Sequence, residues 1–251
     1  MKKRIIIPAR YGSTRLPAKL LIEVAGKAIL HHTYERALAC HFDSVLIATD
    51  HPDIVALCNK IGAPCCLTRE SHINGTDRIS EAMNQAGYSD EDVIVNLQGD
   101  EPLLPVANIL RTTENLIAHP EASVATLCKP LEEKSDIFNP NYVKVVVDHN
   151  DYALYFSRAP VPWARDYFPA TIPDTDQGAY SHHIGLYVYR GIFLKRYASL
   201  PPCVLETTEQ LEQLRALYYG FKIHVGLAPE KNPPGVDTAA SLQEIRRLLE
   251  N

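Results

Sequence analysis

Three cations fall within one short loop early in the chain. The segment reads Pro8-Ala9-Arg10-Tyr11-Gly12-Ser13-Thr14-Arg15-Leu16-Pro17-Ala18-Lys19, so Arg10, Arg15 and Lys19 share it with a glycine and two hydroxyls. Arginine grips phosphate through paired N–H donors, whereas lysine is a point charge on a flexible stem that follows a moving oxygen. The loop is neither a G-x-x-x-x-G-K-[ST] phosphate loop nor a G-x-G-x-x-G turn. A solvated basic loop is the plain alternative, and the loop's place directly after a strand favours phosphate. Far away in sequence stand two acids, Asp100 in Asn96-Leu97-Gln98-Gly99-Asp100-Glu101-Pro102 and Asp237 in Pro234-Gly235-Val236-Asp237-Thr238. Mg²⁺ on a nucleotide takes one or two protein carboxylates plus phosphate oxygens and water, a demand that this pair meets. Each has a duller reading, Asp100 as the start of a turn and Asp237 as the cap of a final helix.

Weaker candidates surround these. Ser71 to Arg78 opens a helix with Gly75 and Thr76 at its start, where exposed N–H groups suit a base carbonyl or a phosphate oxygen. The second half holds Tyr155-Phe156-Ser157-Arg158, Pro162-Trp163-Ala164-Arg165, His182-His183-Ile184-Gly185-Leu186-Tyr187 and the run Leu205 to Arg215. Singly these say little. Glu212 has the spacing to pair with Arg215, and Thr207 to Gln210 has the spacing of a capping box.

Something must hold these groups together. Arg4 to Ile7, Ser44 to Thr49, Val93 to Leu97 and Ala122 to Leu127 are apolar and β-branched, as buried parallel strands are. Amphipathic stretches alternate with them: Ala28 to Ala39, Asp53 to Ile61, Thr76 to Ala86 and Val106 to Ala118. This rhythm predicts an α/β fold with a mostly parallel sheet. The middle changes character. Tyr142 to Val147 and Tyr152 to Ser157 flank His149-Asn150-Asp151 as a hairpin, and an irregular loop runs from Arg158 to Tyr180. A strand (Ile184 to Tyr189), a helix (Thr208 to Tyr219), a strand (Lys222 to Leu227) and a last helix (Ala239 to Leu249) complete the expectation. The economical organisation is one domain over 1–251 with a smaller lobe at about 140–200.

Of 251 residues 46% are hydrophobic, enough for a substantial core, and the net charge of −5 argues against a nucleic-acid groove or an anionic membrane patch. Any polyphosphate must therefore meet a few positioned cations and a metal. No apolar run approaches the about 20 residues that a membrane helix needs. Ile5-Ile6-Ile7 is too short for a signal-peptide core. The six cysteines show no C-x-x-C pair and no zinc spacing, so they read as reduced and the compartment as cytosol.

As a set, the motifs resemble those of the CMP-Kdo synthetases, which activate 3-deoxy-manno-octulosonate (Kdo). P-A-R-x-x-S-T-R-L-P-x-K, V-N-L-Q-G-D-E-P, G-T-D-R, Y-F-S-R-A-x-x-P-W, H-x-G-x-Y, L-E-Q-L-R and G-V-D-T all match, and the resemblance runs over nearly the whole chain. It departs at Ala18 and Leu20, where glycine and proline are usual, at His182, where arginine is usual, and at Ala239-Ala240, where proline and an acid are common. The resemblance implies a three-layer, Rossmann-like fold of the nucleotide-diphospho-sugar transferase type, with an inserted β-rich middle lobe. It implies Mg²⁺ on Asp100 and Asp237, and catalysis by these with Arg15 and Lys19. CTP would meet Arg10, Arg15, Lys19, Gly75, Arg78, Gln98 and Asp100. The sugar would meet Arg158, Arg165, His183, Tyr187, Glu212 and Gln213. A homodimer built through the middle lobe and a role in lipopolysaccharide synthesis are also implied. Two rivals stay open: activation of another sugar acid, such as a sialic acid or amino-Kdo, and a non-catalytic nucleotide sensor. A sensor has no need of a metal and phosphate set.

Overall fold

The computed structural model describes residues 1–13, 15–72, 74–168, 171 and 180–250. Its first half is β1 (Lys3–Ala9), a small hairpin of β2 (Glu23–Val24) and β3 (Lys27–Ala28), α1 (Ile29–Leu38), β4 (Ser44–Thr49), α2 (Pro52–Ile61), β5 (Cys65–Leu67), α3 (Gly75–Gln85), β6 (Val93–Asn96), α4 (Val106–Ala118) and β7 (Ala122–Pro130). The second half is β8 (Lys144–Val147), β9 (Ala153–Ser157), β10 (Ser181–Arg190), α5 (Gly191–Tyr197), α6 (Val204–Glu209), α7 (Gln213–Tyr218), β11 (Lys222–Leu227) and α8 (Ala239–Glu250).

Among the described residues the main sheet has nine strands, in the order β11-β7-β10-β6-β1-β4-β5, with β8 against β10 and β9 against β8. β1 lies parallel to β4 on one side and to β6 on the other, while β10 runs antiparallel between β6 and β7. The fold is thus mixed but mostly parallel. Successive side chains of a strand point to opposite faces, and the isoleucines of β1 show the consequence. Ile5 and Ile7 enter one core with α1, α2, α4 and α8, while Ile6 enters the other with α3, α5 and α7. Both faces are covered, which gives three layers and explains why the strands are continuous apolar runs.

The expected helix from Thr208 to Tyr219 is instead two short ones. Gln210 takes a left-handed φ of 54°, which ends α6, and the chain restarts in α7 at Gln213. The hairpin forms as expected, with the Asp148 carboxylate accepting from the N–H groups of Asn150 and Tyr152 at 2.8 and 2.9 Å. It extends the main sheet. Beside it Leu131, Ile137, Phe168 and Tyr180 make a small core of their own. Residues 169–170 and 172–179 of the expected irregular loop lie outside the described residues.

Candidate active site

β1 is the point from which the parallel strands proceed both ways, and open α/β sheets bind ligands at such a point, outside the carboxyl ends of the strands. A cleft of about 200 Å³ opens there, lined by Arg10, Lys19, Gly75, Arg78, Gln98, Asp100 and Asp237 together with Pro8, Leu20, His72, Asn74 and Gly99. The loop after β1 is turned by Asp50, whose carboxylate accepts from the Tyr11 N–H at 3.0 Å. Ala18, left-handed at φ 49° and ψ 31°, starts a single tight turn over Lys19–Leu21. Leu20 is buried beneath Gly99, where an added Cβ would stand 3.2 Å from its Cδ1. The Thr33 hydroxyl holds the Gly99 carbonyl at 2.9 Å, and the Val236 N–H donates to the Asp100 carbonyl at 2.8 Å. That last bond draws the two remote aspartates together.

Between them sits the Lys19 ammonium. It donates to Asp100 Oδ2 and, at 2.9 Å, to Asp237 Oδ1. Arg15, largely exposed, reaches the same Asp237 oxygen at 3.1 Å, and exposed Arg10 lines the cleft nearby. Burial works against the charge on Lys19, yet the two carboxylates outweigh it and raise its pKa above the ordinary value. Burial likewise opposes ionisation of Asp237, and Lys19 with Arg15 and Arg10 holds its carboxyl below the usual range. Neighbouring Glu101 forms no ion pair with any described residue, and Lys19 opposes its shift only at a distance. Burial, with Asp100 and Asp237 beside it, pushes its carboxyl up to about 8. The helix-cap reading of Asp237 fails: Thr238 and Ser241 cap α8 reciprocally, with the Ser241 N–H donating to the Thr238 hydroxyl at 3.1 Å. Two carboxylates that already converge on one cation offer the hard oxygen donors that Mg²⁺ requires.

On the other wall, Asn74 caps α3 by accepting from the Asp77 N–H at 2.8 Å. Gly75 follows, and a side chain there would come 3.1 Å from Gln98 Nε2, so the glycine permits the helix start to approach Gln98. Gln98 Nε2 donates to Asn96 Oδ1 at 3.0 Å. Arg78 is buried. Its guanidinium donates to Asp50 and to the Thr68 hydroxyl, both at 2.6 Å, which ties the ends of β4 and β5 to the cleft wall. Sequence reasoning passed over Asp50, although an acid just past a strand's carboxyl end is the signal that singled out Asp100.

The six expected sugar contacts divide. Tyr187, Glu212 and Gln213 line a buried pocket with Thr76, Tyr189 and Tyr197. Burial raises the Glu212 carboxyl to about 7 and sends the Tyr187 hydroxyl well above its ordinary value. His183 is buried with Nε2 at 2.9 Å from the Thr126 hydroxyl, and burial, helped by His182, lowers it to about 3. Arg158 is not brought to the cleft: it donates to the backbone carbonyls of Glu209, Pro140 and Gln210 at 2.7, 2.9 and 3.4 Å. Arg165 is exposed and lines none of these cavities. The expected Glu212–Arg215 pair does not form. Arg215 binds Glu206 through two donors at 2.7 and 2.6 Å. Nor does Thr207 cap a helix, for it lies inside α6 and its hydroxyl donates to the Cys203 carbonyl at 3.2 Å.

Fold and comparisons together define a cytidylyltransferase: the family described by that word matches residues 4–223. Among curated relatives, the 3-deoxy-manno-octulosonate cytidylyltransferase of Nitrosococcus oceani is 49% identical, over 99% of this chain and 97% of its own length. The enzyme of the same name from Pseudomonas fluorescens is 50% identical, over 98% of this chain and 97% of its own length. The chain belongs to the 3-deoxy-manno-octulosonate cytidylyltransferase family. A solved CMP:2-keto-3-deoxy-manno-octonic acid synthetase, complexed with CTP, superposes at a TM-score of 0.90 with 37% identity, covering 100% of this chain and 99% of that one. A 4-diphosphocytidyl-2C-methyl-D-erythritol synthase from Anaerococcus prevotii, at 13% identity and a TM-score of 0.63, shares the fold.

Two consequences can be measured. A left-handed φ costs an L-residue about 1–2 kcal/mol, part of which glycine returns through its freer unfolded chain. Ala18→Gly should therefore stabilise the fold by about 0.5–1 kcal/mol and raise the urea midpoint accordingly, and a lowered midpoint would refute strain at Ala18. Glu212, raised from 4.5 to about 7, binds more protons folded than unfolded between those values. Stability should fall as pH rises through that window, with Asp77 and Glu206 adding to the effect and Arg215 opposing it. Glu212→Gln should melt higher than the wild type at pH 8 but not at pH 4. Parallel pH profiles for the two proteins would count against the assignment.

Proposed function

We infer that this chain transfers CMP from CTP to the anomeric hydroxyl of 3-deoxy-manno-octulosonate, giving CMP-Kdo and pyrophosphate, with Mg²⁺ held by Asp100 and Asp237. The observation that carries the reading is the convergence of these two carboxylates with Lys19 and Arg15 at the carboxyl ends of the parallel strands. The hydroxyl oxygen forms the new bond to the α-phosphorus, the bond from that phosphorus to pyrophosphate breaks, and the hydroxyl proton leaves to solvent. When bound, Mg²⁺ supplies positive charge to the α-phosphate and to the attacking hydroxyl. The protein's own part is positioning and charge. Arg15 and Arg10, exposed beside the cleft, take the β- and γ-phosphates, and Lys19 follows the charge as it moves onto the leaving pyrophosphate. Gly75, Gln98 and Arg78 form the wall for cytosine and ribose. By the resemblance Tyr187, Glu212 and Gln213 would meet the sugar, and a sugar reaches them only when the pocket they border opens beyond its present volume of about 10 Å³. The same reading makes the protein a cytoplasmic homodimer serving lipopolysaccharide synthesis.

Wild-type protein with CTP and Mg²⁺ should release pyrophosphate only when Kdo is present, and not with UTP or a sialic acid. Release with a different sugar acid alone would move the specificity, and silence with every sugar acid would favour a sensor. Asp100→Asn should lower turnover on the order of a hundredfold or more while keeping its melting temperature, and Lys19→Ala should slow it similarly. Near-normal rates would remove those residues from the catalytic set.

A further inference from the structure

β4 ends beside the loop that follows β1, and the two residues just past it both grip Tyr11. Asp50 Oδ1 accepts from the Tyr11 N–H at 3.0 Å. The His51 ring lies on the Tyr11 ring, with centroids 3.6 Å apart and planes 12° from parallel. At that separation the two ring faces are in full van der Waals contact. His51 is itself held in place. Its N–H donates to the Thr49 hydroxyl at 3.3 Å, and its Nδ1 accepts from the Asp53 N–H at 3.2 Å, which caps α2. One imidazole thus serves a helix through its edge and a loop through its face.

The loop needs such a hold. Among the described residues from Tyr11 to Pro17, the Tyr11 N–H is the one backbone group bonded outside the loop, for the Leu16 N–H turns to the Ser13 hydroxyl at 3.4 Å. Exposed Arg10 and Arg15 lie on either side of Tyr11. Arg15 reaches Asp237 at 3.1 Å, whereas the Arg10 guanidinium makes no hydrogen bond or ion pair with any described residue. The peptide whose N–H Asp50 holds is the planar unit that joins Arg10 to Tyr11. Fixing Tyr11 therefore fixes the direction in which Arg10 leaves the backbone. The other oxygen of Asp50 accepts from Arg78 at 2.6 Å, so the same carboxylate joins the loop to the opposite wall of the cleft.

This inference rests on the proposed use of CTP. A triphosphate that must first order a loop binds more weakly by the entropy of ordering it. We propose that His51 is a positioning residue for CTP: its ring and the Asp50 carboxylate clamp Tyr11, and so hold Arg10 and Arg15 toward the β- and γ-phosphates. His51 does not line the cleft and acts through Tyr11.

The test separates the two duties of the imidazole. His51→Asn keeps a side-chain acceptor at the helix start, where asparagine is favoured, and removes the ring. His51→Phe keeps a ring and removes the acceptor. KM for CTP is read from pyrophosphate release at saturating Kdo, and Kd for CTP from calorimetry with Mg²⁺ and no acceptor. His51→Asn should raise both about fivefold, the order of effect of one stacked aromatic pair, and leave KM for Kdo unchanged. His51→Phe, though uncapped at α2, should keep both near wild type. Tyr11→Ala should match His51→Asn, and Tyr11→Phe should match wild type. Weak CTP binding in His51→Phe with normal binding in His51→Asn would reduce His51 to a helix cap and overturn the clamp. Equal losses in the two variants, or no loss in either, would overturn it as well. Wild type that binds CTP but releases no pyrophosphate with any sugar acid would overturn the proposed reaction alone, and the CTP affinities of the same variants then decide the clamp.

Discussion

One ammonium group between two carboxylates is the contact on which the cleft depends. Asp100 and Asp237 come from distant parts of the chain, and two unit charges about 4 Å apart repel by about 4 kcal/mol at an effective dielectric of about 20. Lys19 removes that repulsion by touching both. Its burial would be costly without the carboxylates, and their convergence would be costly without the lysine. The three are therefore one unit. Everything around them maintains it: the Val236 to Asp100 backbone bond, the Thr33 hydroxyl on Gly99, and the tight turn that starts at Ala18. A divalent ion would find the donors already converged, and a triphosphate would offer Lys19 another anion.

The elements that deliver this unit were legible because both faces of the central strands are buried. Such strands must be apolar throughout, so β1, β4 and β6 stand out, and each ends close to a residue that lines or supports the cleft. Their ends are thus the natural place to look for chemistry. Elements whose identity depends on partners elsewhere were not legible. β5 is only Cys65–Leu67 and owes its existence to pairing with β4. α5 begins at Gly191, where no capping residue announces it, and Gly191 lies so close to the Ser89 carbonyl that an added Cβ would stand 2.5 Å away. The split between α6 and α7 turns on one left-handed glutamine, a conformation that glutamine does not advertise.

The polar residues of the second half show the same limit more sharply. Residue type marks Arg158, Glu206, Glu212 and Arg215 as functional candidates, yet type cannot say which acceptor each guanidinium finds. Arg215 sits three residues from Glu212, which suggests a helical pair, but the break at Gln210 brings Glu206 within reach instead. The outcome matters for chemistry. With Arg215 occupied by Glu206, Glu212 stays among tyrosines with no ion pair to any described residue, and burial then lifts its pKa. Arg158 becomes a strut that fastens β9 to the end of α6, a role that spacing alone does not reveal.

The two departures in the first loop are best understood together. Ala18 occupies a backbone region that costs an L-residue about 1–2 kcal/mol, and glycine, usual there in the family, would avoid the cost. Leu20 stands where proline is usual, and its side chain is 4% exposed, packed against Gly99. Burying a leucine side chain contributes about 1.5–3 kcal/mol, enough to offset the strain two residues earlier. The same packing needs Gly99 bare, because a side chain there would also press on the Pro8 carbonyl at 3.1 Å. Apolar contact beneath the loop thus holds a strained turn, and the strained turn aims Lys19 between the aspartates. The two substitutions change how the loop is held while leaving its cations in place.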